Sequence, residues 1–378
     1  MIAEVVVIGG GYAGAATVNT LQRMNAPVSI TWISDSPFHV VRHEMHRVIR
    51  HPHLLSSLRI PLERIASAEV TCRTATVTEL RPERREVGLG AGEYLPYDYL
   101  VVTVGCRMPY YGIPGLKSQA IPMQSIEDAR TIHGVIRDAD VESQDIVVGG
   151  GGLTGVQTAG EIVELRDQLD VEMSVTIVEA LDSVLPTSKP PLQHRVRRAL
   201  RDHGVTIIEG EPIVSTSPTT VTLADERELG YDRLVWAGGI AGREFIDVAS
   251  LETQRTRLVT DDRLRTSDPH VFAVGDIALI DQEHGVAPPT AQAAWQAGPV
   301  AARNVAAAVA DEPLESWQFD DKGSLISIGS AAIAHDVVGI PVETFGGPAA
   351  ASLKKLVGTR WIASLTSWRE AARLWSYL

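Results

Sequence analysis

Two short stretches of the chain follow one pattern, and together they constrain the fold more than any other feature. Residues 4–14 read EVVVIGGGYAG and residues 145–155 read DIVVGGGGLTG. Each is a β-branched run, then clustered glycines, then a helix-forming stretch, and each is followed by a second apolar run, at 28–34 and 175–179. Strand, glycine turn, helix and strand make a βαβ unit, because parallel strands need a crossover helix. Within the turns stand Gly9, Gly11 and Gly14, and later Gly150, Gly152 and Gly155. The first glycine of such a set permits the tight turn, the second admits a pyrophosphate, and the third lets helix and strand close up. The helix N-terminus then faces the phosphates, so Tyr12, Ala13, Leu153 and Thr154 join the cofactor-binding set. Two such units predict two dinucleotide-binding domains in one chain.

A ribose-binding acid is expected about 20 residues after the last glycine. In the second unit Glu179 closes the strand VTIV, and residues 180–184 (ALDSV) carry no arginine to welcome a 2′-phosphate. This favours NAD(H) over NADP(H). In the first unit the position falls on Ser34 or Asp35, and both stay in the candidate set.

The chain is long enough for two or three domains: 378 residues, 44% hydrophobic and 21% charged, an ordinary globular balance. Its net charge of −13 disfavours a nucleic-acid partner. No apolar run is long enough to span a bilayer as a helix, and residues 1–4 carry no basic, signal-like region. The expected location is the cytoplasm, on the inner face of the cell membrane. Cys72 and Cys106 cannot make a disulfide framework. Only five of the basic residues are Lys, a bias that fits a halophile or a GC-rich genome equally.

Turn-punctuated runs fill the rest. Residues 69–80, 86–89 and 94–105 predict an antiparallel meander, and 205–239 repeat the arrangement; 258–260 and 271–274 read as strands returning to the first domain. The expected division is 1–110 with 256–320, then 111–255, then 321–378. The fold class is α/β: two Rossmann-like three-layer domains, glutathione-reductase-like, plus a small C-terminal α+β region ending in an amphipathic helix.

The two fingerprints, LPYDYLVVTVGC at 95–106, LVWAGG at 234–239 and VFAVGD at 271–276 together resemble the two-dinucleotide-binding-domain flavoprotein superfamily. The resemblance covers roughly residues 1–310 and is most similar to type II NADH:quinone dehydrogenases, through APPTAQAAWQ at 287–296. It implies noncovalent FAD at the first fingerprint, NADH at the second, and Asp276 on the flavin's ribityl or pyrophosphate segment. It also implies Arg42, Val77, Gly105 and Ala291 beside the flavin, Gly238 beside the nicotinamide nucleotide, and Gln292 and Gln296 lining a quinone pocket. Gln292 and Gln296 are four apart, on one helix face.

Three departures bear on the acceptor. Gln157 stands where the family has a Glu that is a candidate proton carrier, Ser34 where it has the ribose acid, and Thr103 begins the family's ATG triplet. The implied reaction carries electrons from NADH through flavin to a quinone, without proton pumping. The alternatives are a soluble NADH-dependent reductase of a small redox protein or oxygen, sulfide:quinone-like chemistry, and a redox sensor of the apoptosis-inducing-factor type.

His39, His43 and His46 share helical spacing; the reading preferred here is a polar cleft lining, with no metal. Residues 351–378 carry Lys354, Lys355, Arg360, Arg369 and Arg373 against Glu370, with Trp361, Trp368 and Trp375 among their apolar positions. A basic, Trp-rich helix suits a peripheral membrane surface; the alternative is a helix packing on its own domain or on a homodimer partner. Deleting it is expected to spare flavin content.

Overall fold

The computed structural model describes residues 2–139 and 143–375. Two five-stranded sheets dominate, and every pairing within them is parallel. The first runs, edge to edge, Val271–Ala273, Tyr99–Val102, Ala3–Ile8, Val28–Ser34 and Val70–Thr74. The second runs Ile121–Pro122, Arg233–Trp236, Ser143–Gly149, Glu172–Val178 and Val205–Ile208. Their central strands are fully buried runs such as Val5, Val6, Val7 and Ile8, as expected of parallel strands covered on both faces. The repeated motif has thus built the same topology twice. The difference lies in the outermost strand, which comes last along the chain in the first sheet and first in the second.

Helix Tyr12–Leu21 of the first unit lies against helix Ala291–Val309. A Cβ on Gly298 would come within 2.6 Å of the Ala16 Cβ and 2.9 Å of the Ala13 carbonyl oxygen. The two helices therefore touch backbone to backbone, and Thr17 spans the contact by donating to the Gly298 carbonyl.

Residues 324–375 form a third piece. Strands Ser324–Ile328, Ala331–His335 and Thr344–Gly346 make an antiparallel sheet covered by helix Pro348–Leu365, which reaches helix Tyr12–Leu21. Helix Trp368–Leu374 follows.

Three expectations need correction. The run 69–80 is two strands: Val70–Thr74 joins the parallel sheet, and only Val77–Arg81 enters the meander with Glu86–Leu89 and Tyr94–Pro96. Residues 258–260 pair with 278–280 in a separate small sheet, so 271–273 alone returns to the first sheet. The three histidines do not share a helix either. His39 lies in strand Phe38–Val40, whereas His43 and His46 lie in a 3₁₀ helix, Arg42–Ile49.

Candidate cofactor and acceptor site

The two glycine turns superimpose in their local requirements. Gly9 and Gly150 have φ of +114° and +105°, where side chains are strained. A Cβ on Gly14 would lie 2.0 Å from the Gly9 carbonyl oxygen, and one on Gly155 would lie 1.8 Å from that of Gly150. Gly11 and Gly152 are the opposite case, since a Cβ on either meets nothing within 4 Å. Both are N-cap residues of helices with no side-chain cap. The first N–H groups of each helix thus have no side-chain cap, the arrangement in which a helix start binds an anion such as a pyrophosphate.

The ribose positions differ. Glu179 is buried, accepting at 2.5 Å from the Gly151 N–H and at 2.8 Å from the Leu181 N–H. A Cβ on Gly151 would lie 3.0 Å from the Glu179 Cβ, and one on Gly10 would lie 2.7 Å from the Ser34 Oγ. Ser34 is thus the geometric counterpart of Glu179. Asp35 is exposed, one residue beyond it. Val77 stands two residues after Ala75, whose N–H donates to the Ser34 carbonyl at 2.8 Å, and it pairs with Leu89 at the start of the meander.

On the far side of the first turn, Asp276 follows Gly275, whose φ is +80° and whose Cβ would lie 3.1 Å from that of Ala13. Burial pushes the Asp276 carboxyl up, opposed by Arg42 and Arg257. Arg42 is steadied by a 2.9 Å bond to the Gln124 carbonyl. Gly105 has φ +61° and open space at its Cβ. Gly238 is required sterically, since a Cβ there would meet the Trp236 ring at 2.2 Å. Gln157 is buried on helix Leu153–Leu169, one turn before Glu161.

The structure also joins two segments that the sequence reading kept apart. Lys354 is 8% exposed, and its ammonium lies 2.8 Å from Glu44 and 2.5 Å from Ser327 Oγ. Burial alone raises the Glu44 pKa, but Lys354, with His43, His46 and Arg47, holds it down at about 2. Next to it the Tyr12 hydroxyl lies 2.5 Å from His43 Nδ1. Burial lowers the pKa of His43, and that of His39, to about 4, leaving both neutral near pH 7. Trp361, 1% exposed, donates to His39 Nε2 at 2.9 Å, and its ring centroid is 4.9 Å from those of Tyr12 and Trp295. Packing on its own domain is among the uses the tail's sequence allows, but nothing in its composition singles out Lys354 and Trp361 as the residues that turn inward. The only cue lay in the polar HVVRHEMHR run, whose buried groups need partners.

Gln292 and Gln296 also differ from expectation. Gln292 accepts from the Lys322 N–H at 2.8 Å and donates to the Gly323 carbonyl at 3.1 Å. Gln296 accepts from the Asp320 N–H at 3.1 Å and donates to its carbonyl at 2.8 Å. Both carboxamides clamp the backbone of residues 320–323, which uses both side-chain oxygens. Each keeps one N–H beyond the clamp.

Residues 3–298 match the model of the pyridine nucleotide-disulphide oxidoreductase family. The chain belongs to that family. Among its relatives, the type II NADH:quinone oxidoreductase of Staphylococcus haemolyticus is 30% identical over 94% of both chains, and that of Staphylococcus saprophyticus 29% over 96% of both. Among solved structures, Plasmodium falciparum NDH2 in complex with NADH aligns with TM-score 0.85 at 16% identity, over 100% of this chain and 97% of that one. The sulfide:quinone oxidoreductase of Aquifex aeolicus aligns with TM-score 0.84 at 16% identity, over 97% and 92%. At such identity these two likenesses speak for the fold.

The cofactor this family implies is FAD, and the residues fit it. The uncapped helix start, the open space at Gly11 and Gly105, and Asp276 with Arg42 in its electrostatic surroundings are features that fit a flavin dinucleotide. The disulphide chemistry in the family's name has no counterpart here. Cys72 sits on the strand at one edge of the first sheet, while Cys106 lies beyond Tyr99–Val102 toward the other. The Cys106 thiol donates to the Asp276 carbonyl at 3.0 Å, and burial pushes its pKa up to about 11, so it is no thiolate near pH 7.

The C-terminal helices have two sides. Trp361, Ile362 and Leu365 are buried, while Leu356, Val357, Trp368 and Trp375 are 51, 40, 65 and 40% exposed. The expectation of one lipid-facing stripe holding three Trp is thus corrected: Trp361 belongs to the interior, and so does Lys354. Among the described residues no helix is long and apolar enough to cross a membrane. Residues 376–378 of the proposed membrane helix lie outside the described part.

Proposed function

We propose that this chain is an NADH:quinone oxidoreductase that works from a membrane surface. What carries the reading is likeness across nearly its whole length to type II NADH:quinone oxidoreductases. At the second fingerprint the buried Glu179 suits the ribose hydroxyls of NADH and disfavours a 2′-phosphate; FAD is assigned to the first fingerprint by the order of the family's motifs. The chemistry that FAD supplies when bound is two-electron transfer from NADH to the quinone. The residues position and protect. Gly9, Gly11 and Gly14 hold one pyrophosphate and Gly150, Gly152 and Gly155 the other; Arg42 and Asp276 orient the flavin's linking segment.

In this proposal residues 1–110 and 256–320 form the FAD unit, 111–255 the NADH unit and 321–378 the acceptor side. Gln292 and Gln296 wall the acceptor by fixing residues 320–323, and each points its remaining N–H toward it. Gln157 cannot release a proton near pH 7. The protons a quinone needs are assigned to the Lys354–Glu44–His43–Tyr12 cluster, which stands buried beside the first glycine turn. The exposed Leu356, Val357, Trp368 and Trp375, with Lys355, Arg360, Arg369 and Arg373, face the lipid.

Rapid mixing of the purified yellow protein with NADH, then with a quinone analogue, tests the reading. Bleaching by NADH and recovery with quinone support it. Bleaching without recovery by quinone would transfer the chain to another acceptor.

A further inference from the structure

At the loop end of the hairpin made by strands Ala331–His335 and Thr344–Gly346, three ligand-bearing side chains come together. His335, Asp336 and Glu343 each offer one donor atom, and these lie within 4.8 Å of one another. The hairpin brings them together: Asp336 N–H bonds the Glu343 carbonyl at 2.8 Å. Neighbours on a strand point to opposite faces, but Asp336 has φ +51°. That left-handed turn ends the alternation at the point where the Asp336 carboxylate comes within 3.4 Å of His335 Nε2.

His335 is 4% exposed. Its Nδ1 lies 2.6 Å from Thr344 Oγ1, while its Nε2 is buried with no hydrogen-bond partner. Such orphans are rare and call for an explanation. With Nδ1–H donated to the Thr344 hydroxyl, Nε2 keeps a lone pair directed at the carboxylates. This is how metal-binding histidines are held, with the second ring nitrogen donating to a neighbour. Two carboxylates meet here, and among the described residues Lys189 pairs with Asp336.

We propose that His335 Nε2, Asp336 and Glu343 bind one divalent cation of the Zn²⁺ type, with water completing the shell. One imidazole with two carboxylates suits zinc-like ions better than Mg²⁺ or Ca²⁺, which prefer all-oxygen shells. Bonds of about 2.0–2.2 Å require the donors to draw in, and exposed Glu343 swings to do so. Asp336 exchanges Lys189 for the ion. Because Lys189 caps helix Pro190–Asp202 beside the second sheet, the ion and this ion pair between the C-terminal region and the second unit compete.

The test titrates untagged, metal-stripped, full-length protein with Co²⁺, read by visible absorption, and with Zn²⁺ by calorimetry. One ion per chain is expected, weakened at least about tenfold by Glu343→Gln and by His335→Asn. Lys189→Met, which removes the competitor, tightens it. Glu343 and Lys189 are exposed, so these two variants decide the matter if His335→Asn does not fold. Absence of saturable binding overturns the proposal. So does binding that neither Glu343→Gln nor Lys189→Met alters, which places the ion on other histidines.

Discussion

The indole N–H of Trp361 donates to Nε2 of His39 at 2.9 Å, across more than three hundred residues of chain. Through this bond and the contact with Tyr12, the C-terminal helix closes over the residue that follows the first glycine turn. The helix therefore packs on its own chain, one of the two uses its sequence allows, and forms a wall of the proposed flavin unit.

Removal of residues 351–378 is expected to lower flavin retention, contrary to the reading from sequence alone. Trp361→Ala is the sharper probe. Emptying a buried Trp site costs about 3–5 kcal/mol, seen as a lower melting temperature together with flavin released on gel filtration. A variant that melts and holds flavin like the wild type would refute the wall assignment.

Glu179 sets the donor preference in the proposed site. Its carboxylate would face a 2′-phosphate, so NADH is expected to exceed NADPH in kcat/KM by at least about tenfold, about 1.4 kcal/mol. Glu179→Ala should narrow that gap. It also leaves the Gly151 and Leu181 N–H groups unsatisfied, costing about 1–3 kcal/mol of stability. Equal use of both nucleotides by the wild type would remove Glu179 from this role.

Stability is expected to fall as the solution is acidified. His39 and His43 have folded pKa values lowered by burial to about 4, below the ordinary value near 6.5. The unfolded chain therefore takes up more protons between about pH 6.5 and 4, at a cost of about 3 kcal/mol each. Glu44, held at about 2 chiefly by Lys354 against its burial, acts in the same direction: its stabilisation is present above the ordinary carboxylate pKa and is lost as the pH falls through about 2. Urea midpoints at pH 7.5, 6 and 4.5 measure this. Lys354→Met, which strands a buried carboxylate, should cost about 3–5 kcal/mol at pH 7.5 and less at pH 4.5, where Glu44 can take a proton.

Membrane attachment is expected to depend on Trp368, Trp375 and the outward cations, and not on Trp361. Each Lys or Arg near an anionic surface contributes roughly 1 kcal/mol, and salt screens this over about 10 Å at 0.1 M. Flotation with anionic and neutral liposomes should show a salt-sensitive preference for the anionic ones, weakened by replacing Trp368 and Trp375 with Ser. If the protein ignores both liposomes and elutes as a dimer that the same replacements split, the exposed face is a contact between copies.

The paired parallel sheets were legible because the signals are local. A Val-rich strand, a glycine turn and a small-residue helix each state their own conformation, and the motif occurs twice. The positions of Gly9, Gly14, Gly150 and Gly155 could be read for the same reason: their steric demand arises within a few residues. Cys72 was placed in a meander because β-branched runs look alike whether they join a parallel edge or a hairpin. The Lys354–Glu44 pair, the Trp361–His39 bond and the clamps made by Gln292 and Gln296 are contacts between distant segments. Gln at helical spacing reads the same whether it faces a ligand or a loop backbone. His335 and Glu343 were not legible for a related reason: only the hairpin and the left-handed turn at Asp336 bring their donors together.

The edge position of Val271–Ala273 in the first sheet sets an order of events during synthesis. Strand Tyr99–Val102, with Leu100, Val101 and Val102 fully buried in the finished sheet, has no partner on that side until residues 271–273 leave the ribosome. At translation rates of about 5–20 residues per second, the wait is roughly ten to thirty seconds. An apolar strand edge open that long is a template for wrong pairing. The growing chain should therefore depend on chaperones until its last quarter emerges, and the flavin should be loaded after translation.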